Sequence, residues 1–367
     1  MEPNRNWKPE WGGLPVAVQK TWTLPVHRKH VHGFSEAAFV HVPYDTLALL
    51  LREHASVVIS GELGARTLQA AIYRCLFPRT KLIIWTGLSE VTEKGLGRLR
   101  TSFRRMLLHF ADAVTANGSS ATRYLLGLGV IREKIFRVPY GVDISHFLGL
   151  PLQREPNVAR RLIYFGRLVQ RKGLQPFLEV LSTWLRDHPE SSCEFWLVGD
   201  GPLRKDLAAF PAPSSLKLKF LGNVEYEELP RLYAQGGVLA FPTLADEWGV
   251  VVNEALASGI PVMGSLYSQA VEEMVRDGID GWTFHPDRPE EMYAAIDRAL
   301  TVPSEKLDEM RRAGRERIRP LTPEYGAKCI LAAIDFACSS RGKKSPREGT
   351  PQAKSGRING CANDSTQ

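Results

Sequence analysis

From about residue 161 onward the chain repeats one pattern: a short apolar run, a glycine or aspartate, then a stretch with apolar residues three and four apart. The runs cover residues 161–165, 194–198, 216–221, 238–241 and 261–263, and nearly all of them are unalternating. Strands of that kind are buried on both faces, which predicts a parallel sheet covered by helices. Helical spacing falls between and after them, over residues 174–186, 203–210, 227–235, 251–258 and 290–300.

The first half repeats this grammar less clearly. Its strand candidates are residues 39–42, 57–60, 81–85, 113–116 and 135–138, with helices over 65–76 and 97–110. Nothing ahead of Phe39 reads as an opening strand, glycine loop and helix; Gly12 and Gly13 have no apolar strand before them. The turn formers Pro139, Gly141 and Asp143, followed by Pro151 and Pro156, place a boundary near residue 155. The fold class is therefore α/β, with two Rossmann-like units, 1–155 and 156–338, and a tail at 339–367. That tail has Ile358 as its one large aliphatic residue, too little to order itself by burial, so disorder is expected.

Charge sharpens the division. Residues 1–155 hold 20 Lys and Arg against 12 Asp and Glu (+8), residues 156–338 hold 21 against 26 (−5), and residues 339–367 hold 6 against 2 (+4). A basic first half suits an anionic membrane, substrate or nucleic acid, or it is solvated surface charge. Nucleic acid is set aside, because no recognition motif or aromatic platform accompanies the charge. In residues 94–110, Leu96, Leu99, Phe103, Met106, Leu107 and Phe110 recur at helical spacing among Lys94, Arg98, Arg100, Arg104 and Arg105. That stripe is either a contact with the core or a basic amphipathic face for an anionic membrane. No apolar run reaches the length of a membrane span and the start of the chain is polar, so the expected location is the cytoplasm, peripheral on the inner face of the cell membrane if the stripe binds lipid. The five cysteines are scattered, with no CxxC, and read as reduced and structural. His27, His30 and His32 are close in sequence but lie in a poorly patterned basic stretch, expected to be a solvated loop.

Candidate chemistry concentrates where strands end. The segment from Tyr164 to Gly173 leaves a buried strand through Gly166, with Arg167 and Lys172 beside the turn. Open α/β sheets bind ligands at this edge, and two cations can neutralise a diphosphate without a metal, although the segment taken alone also fits a solvated turn. The next strands end in Gly199 and Gly201, then Gly222, Asn223 and Val224; either these outline a nucleotide-shaped crevice or they are generic tight turns. The densest stretch holds Asp246, Glu247, Trp248, Gly249, Val250 and Glu254. A helix starting near Gly249 would offer free amides to a phosphate. Glu254, a carboxylate in an apolar run, calls for a partner such as a ribose diol, unless it is a salt-bridged or helix-dipole acid.

Taken in order, these elements resemble the retaining glycosyltransferases of family 4, which have the GT-B fold of two facing Rossmann-like domains. The resemblance runs over residues 110–335 and rests on Pro139 to Asp143, Gly166-Arg167-Leu168 with Lys172-Gly173, Val198 to Pro202, Phe220 to Gly222, and Asp246 to Pro261. It implies an acceptor-side first domain, here without its opening strand, loop and helix, and a nucleotide-sugar-binding second domain with a closing helix. It further implies that Arg167 and Lys172 bind the donor diphosphate, that Glu254 holds the ribose, that Asp246 stands where the family's pattern has a glutamate, with Glu247 able to take that role after a local shift, and that the amides of Trp248 to Val250 face the donor while Gly201 and Gly222 to Val224 approach the nucleotide. Where relatives often carry a His after the strand at 81–84, this chain has Trp85-Thr86-Gly87. The implied activity is metal-free, retaining hexosyl transfer from a UDP or GDP type sugar to a glycan or lipid-linked acceptor, building a bacterial surface glycan or glycolipid. Donor binding without transfer is the alternative.

Overall fold

The computed structural model describes residues 11–95, 97–156 and 158–339. The expected disordered tail thus lies, but for Ser339, outside the described residues, as does Leu96. The chain opens with an antiparallel hairpin, β1 (Thr21–Lys29) and β2 (Ser35–Pro43), and a short helix α1 (Thr46–Glu53). Then follow β3 (Val57–Gly61), α2 (Ala65–Leu76), β4 (Lys81–Thr86), α3 (Arg98–His109), β5 (Ala113–Ala116), α4 (Ser119–Gly127) and β6 (Ile135–Arg137). These strands form a parallel sheet in the order β3-β4-β5-β6.

After α5 (Ser145–Leu148), a second parallel sheet is built from β7 (Leu162–Phe165), β8 (Cys193–Val198), β9 (Leu216–Gly222), β10 (Val238–Phe241), β11 (Val262–Ser265) and β12 (Gly281–Phe284). The helices between them are α6 (Leu174–Asp187), α7 (Arg204–Ala208), α8 (Leu229–Ala234), α9 (Val250–Ala257) and α10 (Gln269–Met274), and α11 (Pro289–Thr301), α12 (Ser304–Ile318) and α13 (Pro323–Ser339) end the described chain. The sheet order β12-β11-β10-β7-β8-β9 reverses direction between β7 and β10. Every residue of β7, β10 and β11 is buried, as unalternating apolar runs require. One face packs Leu178, Leu181 and Trp184 of α6, the other Val252, Ala255 and Leu256 of α9. Each of the buried Leu and Val side chains contributes roughly 1.5–3 kcal/mol of burial.

Three expectations for the first half need correction. Residues 39–42 belong to β2 and pair with β1, not with the parallel sheet, because Gly33 at φ 81° turns the chain back and Phe34 accepts from His30 N at 2.9 Å. A strand, β1, therefore precedes Phe39, in antiparallel pairing. The histidine stretch is not a solvated loop: His27 lies in β1, and the His32 side chain is 7% exposed, its ring 4.6 Å from Tyr267 and 5.2 Å from His30. The helix at 98–109 turns Phe103, Leu107 and Leu108 to the core while Leu99 stays 90% exposed. Arg104, counted among the surface charges, is buried, ion-paired with Glu93 and bonded to the Tyr124 hydroxyl.

Contacts between the two sheets' helices fix the cleft. The first turn of α4 has no side-chain cap of its own, and its amides point at α10. Ser120 N donates to Glu272 Oε2 at 3.1 Å, Ala121 N to Gln269 Oε1 at 3.1 Å, and Ser119 N to Glu273. Two carboxylates at a helix N-terminus satisfy orphan amides and complement its dipole. Helix α13 then returns to the first sheet, packing Ala333 and Ala337 against Ile83 and Ala113.

Candidate functional site

The strand order reverses between β7 and β10, and a crevice opens there at the carboxyl ends of the strands, as this topology dictates. It measures about 1010 Å³. Its floor comes from the turn after β7, its walls from Pro202 and Leu203, from the loop into α9, and from Ser35, Glu36, Ala37 and Phe39 of the hairpin. The turn after β7 is pressed onto the turn after β10: Gly173 has φ 67°, and a Cβ there would lie 2.1 Å from Pro242 O. Only glycine permits that approach.

The resulting electrostatics are asymmetric. Lys172 Nζ is ion-paired with Asp246 and lies 5.2 Å from the centre of the Phe241 ring. Arg171 spans the cleft, its Nε 3.3 Å from Glu36 Oε2 and its Nη1 3.9 Å from Asp246 Oδ1. Burial alone would raise the Asp246 carboxyl, but Lys172 and Arg171 outweigh it and hold the group below its ordinary value. For Glu247, the next residue, the balance is reversed: burial and the Asp246 charge push its carboxyl up and outweigh the lowering effect of Arg171. Arg167 lines the cleft exposed, with no ion pair among the described residues.

Helix α9 begins at the cleft. Gly249, at φ 108°, is its N-cap and supplies no side-chain cap, so the helix presents free amides beside Val250 and Val251. Trp248 is held rigidly behind them: its Nε1 donates to Asn253 Oδ1 at 2.9 Å, and its carbonyl accepts from Ala270 N at 3.1 Å. Gln269 Nε2 bridges the two halves, donating to Gly87 O at 2.8 Å and to Glu247 O at 2.6 Å. The loop Trp85-Thr86-Gly87 therefore abuts Glu247.

Of the residues singled out from sequence, Gly166, Arg167, Lys172, Asp246, Glu247, Trp248, Gly249 and Val250 line this cleft together. Others stand back from it. Gly201 is packed under Leu168 O, though its neighbours Pro202 and Leu203 reach the cleft. Gly222 accepts from Gly199 N at 2.7 Å at the end of β9, and Asn223 and Val224 continue away from the lining. Glu254 is 5% exposed, and its Oε2 accepts from the Tyr233 hydroxyl at 2.8 Å. Burial raises its carboxyl, against the lowering effect of that hydrogen bond. Sequence reasoning missed Arg171, Tyr140 and the hairpin residues. Arg171 sat in view, adjacent to Lys172; the hairpin had no motif to mark it. Among the described residues, no group of three or more His, Cys, Asp or Glu comes together to hold a metal ion.

The comparisons with known proteins agree with this geometry. Residues 159–301 match the family Glycosyl transferases group 1. The chain is 28% identical over 174 residues to the alpha-D-kanosaminyltransferase of Streptomyces kanamyceticus, covering 47% of this chain and 42% of that protein. It is 29% identical over 228 residues to the sulfoquinovosyl transferase SQD2 of Arabidopsis thaliana, covering 59% of this chain and 42% of that protein. The chain thus spans less than half the length of these curated relatives. Among solved structures, Anabaena HepE in complex with UDP superposes with a TM-score of 0.65 at 19% identity, covering 79% of this chain and 81% of that one, which speaks to the fold. The match falls over the second sheet and its cleft, so it is this part of the chain, on an α/β fold of two parallel sheets, that is similar to the glycosyl transferase group 1 family.

Proposed function

We propose that the chain transfers a hexosyl group from a nucleoside diphosphate sugar, of the UDP or GDP type, to a glycan or lipid-linked acceptor, with retention and without a metal. The observation that carries this reading is the switch-point cleft in which Arg167, without an ion pair among the described residues, the Lys172–Asp246 pair and the open amides of α9 converge. The diphosphate lies against Arg167, Lys172 and those amides. Glu254 Oε1, the carboxylate oxygen that Tyr233 does not occupy, takes a ribose hydroxyl. Asp246 is committed to Lys172 and Arg171, so Glu247, beside Gly87, is the acid that meets the donor sugar.

Catalysis in this reading is electrostatic. The bond from the anomeric carbon to the diphosphate breaks, with its electron pair on the leaving phosphate oxygen. The acceptor oxygen bonds that carbon on the same face, and its proton passes to the leaving phosphate. Fixed cations and amide dipoles stabilise the developing charge at no cost in reorganisation. Two units, divided between β6 and β7, supply the acceptor and donor sides, and α13 joins the second back onto the first.

Donor binding without transfer is the second reading, favoured by one observation: among the described residues an antiparallel hairpin, β1 and β2, stands ahead of the four parallel strands of the first sheet. Calorimetry against UDP, GDP and ADP, with and without a chelator, followed by a transfer assay with the matching sugars, decides between them. Chelator-insensitive binding lost in Arg167→Ala supports the donor site; binding without turnover on any acceptor supports the second reading, and binding of no nucleotide removes both.

Peripheral association with an anionic membrane belongs to the same proposal. Helices α2 and α3 contain no Asp or Glu; α2 exposes Leu76 (59%), and α3 exposes Leu99 (90%) together with Arg98 and Arg105. No helix among the described residues is long and apolar enough to cross a membrane. Flotation with anionic but not neutral vesicles, reduced in Arg98→Glu/Arg105→Glu, is the expected result; equal recovery with both lipids counts against it.

A further inference from the structure

A second hollow of about 310 Å³ opens beside the donor cleft, between the hairpin tip and the loop at 92–95, and shares Glu36, Arg171 and Glu247 with it. Its walls are fixed to one another: a Cβ on Gly95 would fall 2.4 Å from Val31 Cγ1. Pairing its charges one by one leaves a clear remainder. Glu36 is matched by Arg171, and Glu93 by the buried Arg104. Lys29 and Lys94 have no ion pair among the described residues, and Glu247 stands alone on the side facing the donor.

One half-buried imidazole adds to this. The backbone N of His32 donates to His30 Nδ1 at 3.3 Å, which leaves the ring proton on His30 Nε2. That Nε2 is buried without a hydrogen-bond partner. A buried N–H with nothing to donate to is costly and marks a missing acceptor. The lining of the hollow therefore brings together three donors, Lys29, Lys94 and His30, and the carboxylate of Glu247.

We infer that this hollow is the acceptor subsite and that the acceptor carries an oxyanion, a phosphate or a carboxylate, held by Lys29, Lys94 and His30 while a hydroxyl of the same molecule reaches Glu247. The inference rests on the transferase reading and names the substrate class it left open. The hollow's volume suits one sugar-sized unit bearing such a group. The hairpin then supplies the acceptor wall itself.

The test is calorimetric titration of inorganic phosphate, and separately of acetate, into the full chain saturated with UDP, or with GDP where the donor screen selects it. Saturable phosphate binding is expected, weakened about tenfold in Lys29→Ala/Lys94→Ala and severalfold in His30→Phe, which keeps the ring packing but removes the donor. Phosphate binding alone selects a phosphorylated acceptor, and acetate of equal affinity selects a carboxylate. Melting temperatures of the variants separate lost binding from lost folding. No saturable binding of either anion to the nucleotide-loaded chain, or equal binding by the folded variants, overturns the inference. Where no nucleotide binds, the transferase reading fails by itself; phosphate titrated into the nucleotide-free chain then tests the hollow, since loss in Arg167→Ala assigns the anion to the cleft and loss in the lysine variant assigns it to the hollow.

Discussion

Glu36 on the hairpin and Arg171 in the turn after β7 face each other at 3.3 Å across the mouth of the cleft. The pair joins the antiparallel hairpin to the donor side, and the backbone N of Ser35 adds a hydrogen bond to Gln170 Oε1 at 3.3 Å. Both side chains are about a third exposed, so the pair contributes at most about 1 kcal/mol to stability. Its consequence is positional. In Glu36→Gln the melting temperature is expected to change little, while amide exchange in residues 35–39 rises and nucleotide affinity falls severalfold. Unchanged exchange and affinity would show that the hairpin is held from elsewhere.

Lys172 and Asp246 carry a heavier role. Their side chains are 14% and 13% exposed, so removing one leaves a nearly buried charge. Lys172→Ala is expected to cost about 3 kcal/mol of stability, and two or more orders of magnitude in transfer. Lys172→Ala/Asp246→Asn should recover most of the stability and none of the transfer. A double variant that regains turnover would reduce the pair to a structural salt bridge. Arg167→Ala, which breaks no ion pair among the described residues, should lose transfer to a similar extent with stability unchanged.

Much of this site was legible because its physics is local. Buried parallel strands announce themselves as unalternating apolar runs, which is why β7, β8 and β10 fall close to their expected places, whereas β9, at the sheet edge, alternates Leu and Lys and is buried only at Leu216. Glu254 was legible as a carboxylate needing a partner, since it interrupts the apolar run of α9. Its partner was not: Tyr233 comes from α8, and only the fold brings the two within 2.8 Å. The hairpin was hidden for a different reason. Pro25 and the basic residues of β1 read as loop, and a strand confined to a two-stranded ribbon tolerates both. The capping of α4 by Glu272 and Glu273 was equally invisible, since a side chain some 150 residues away leaves no mark beside Gly118.

Acidity acts on the site in two opposing directions. Asp246 titrates below its ordinary value of 3.8, so its contribution to stability is present above that value and is lost as pH falls through the folded-state pKa. Glu254 titrates above its ordinary value of 4.5 because burial disfavours its charge. The folded state then binds its proton more tightly than the unfolded chain, and stability falls as pH rises from about that value through the raised one. Replacing Glu254 with Gln removes this second slope. The melting temperature of the wild type relative to Glu254→Gln is therefore expected to decline between acidic and neutral pH, and a parallel pair of curves would place the carboxyl in water. Nucleotide affinity should also weaken in the variant through the lost ribose contact.

The last prediction concerns the close contact that sets the cleft's floor. Gly173 combines a left-handed φ of 67° with a backbone oxygen, Pro242 O, 2.1 Å from where a Cβ would stand. A side-chain neighbour could rotate aside, but a carbonyl in a loop anchored by Leu244 N to Arg171 O at 2.8 Å cannot. Gly173→Ala is expected to cost at least about 2 kcal/mol from strain and clash together. Because relief requires the turn after β7 to draw away from β10, it also separates Lys172 from Asp246, and donor affinity should fall well beyond what the melting temperature alone accounts for. Gly127→Ala is the control. That glycine ends α4 with nothing within 4 Å of its Cβ position, and alanine there should leave stability the same or raise it by up to about 1 kcal/mol. Equal melting temperatures and equal nucleotide affinities for the two variants would show that the turn adapts, and that the floor of the cleft is not set by this contact.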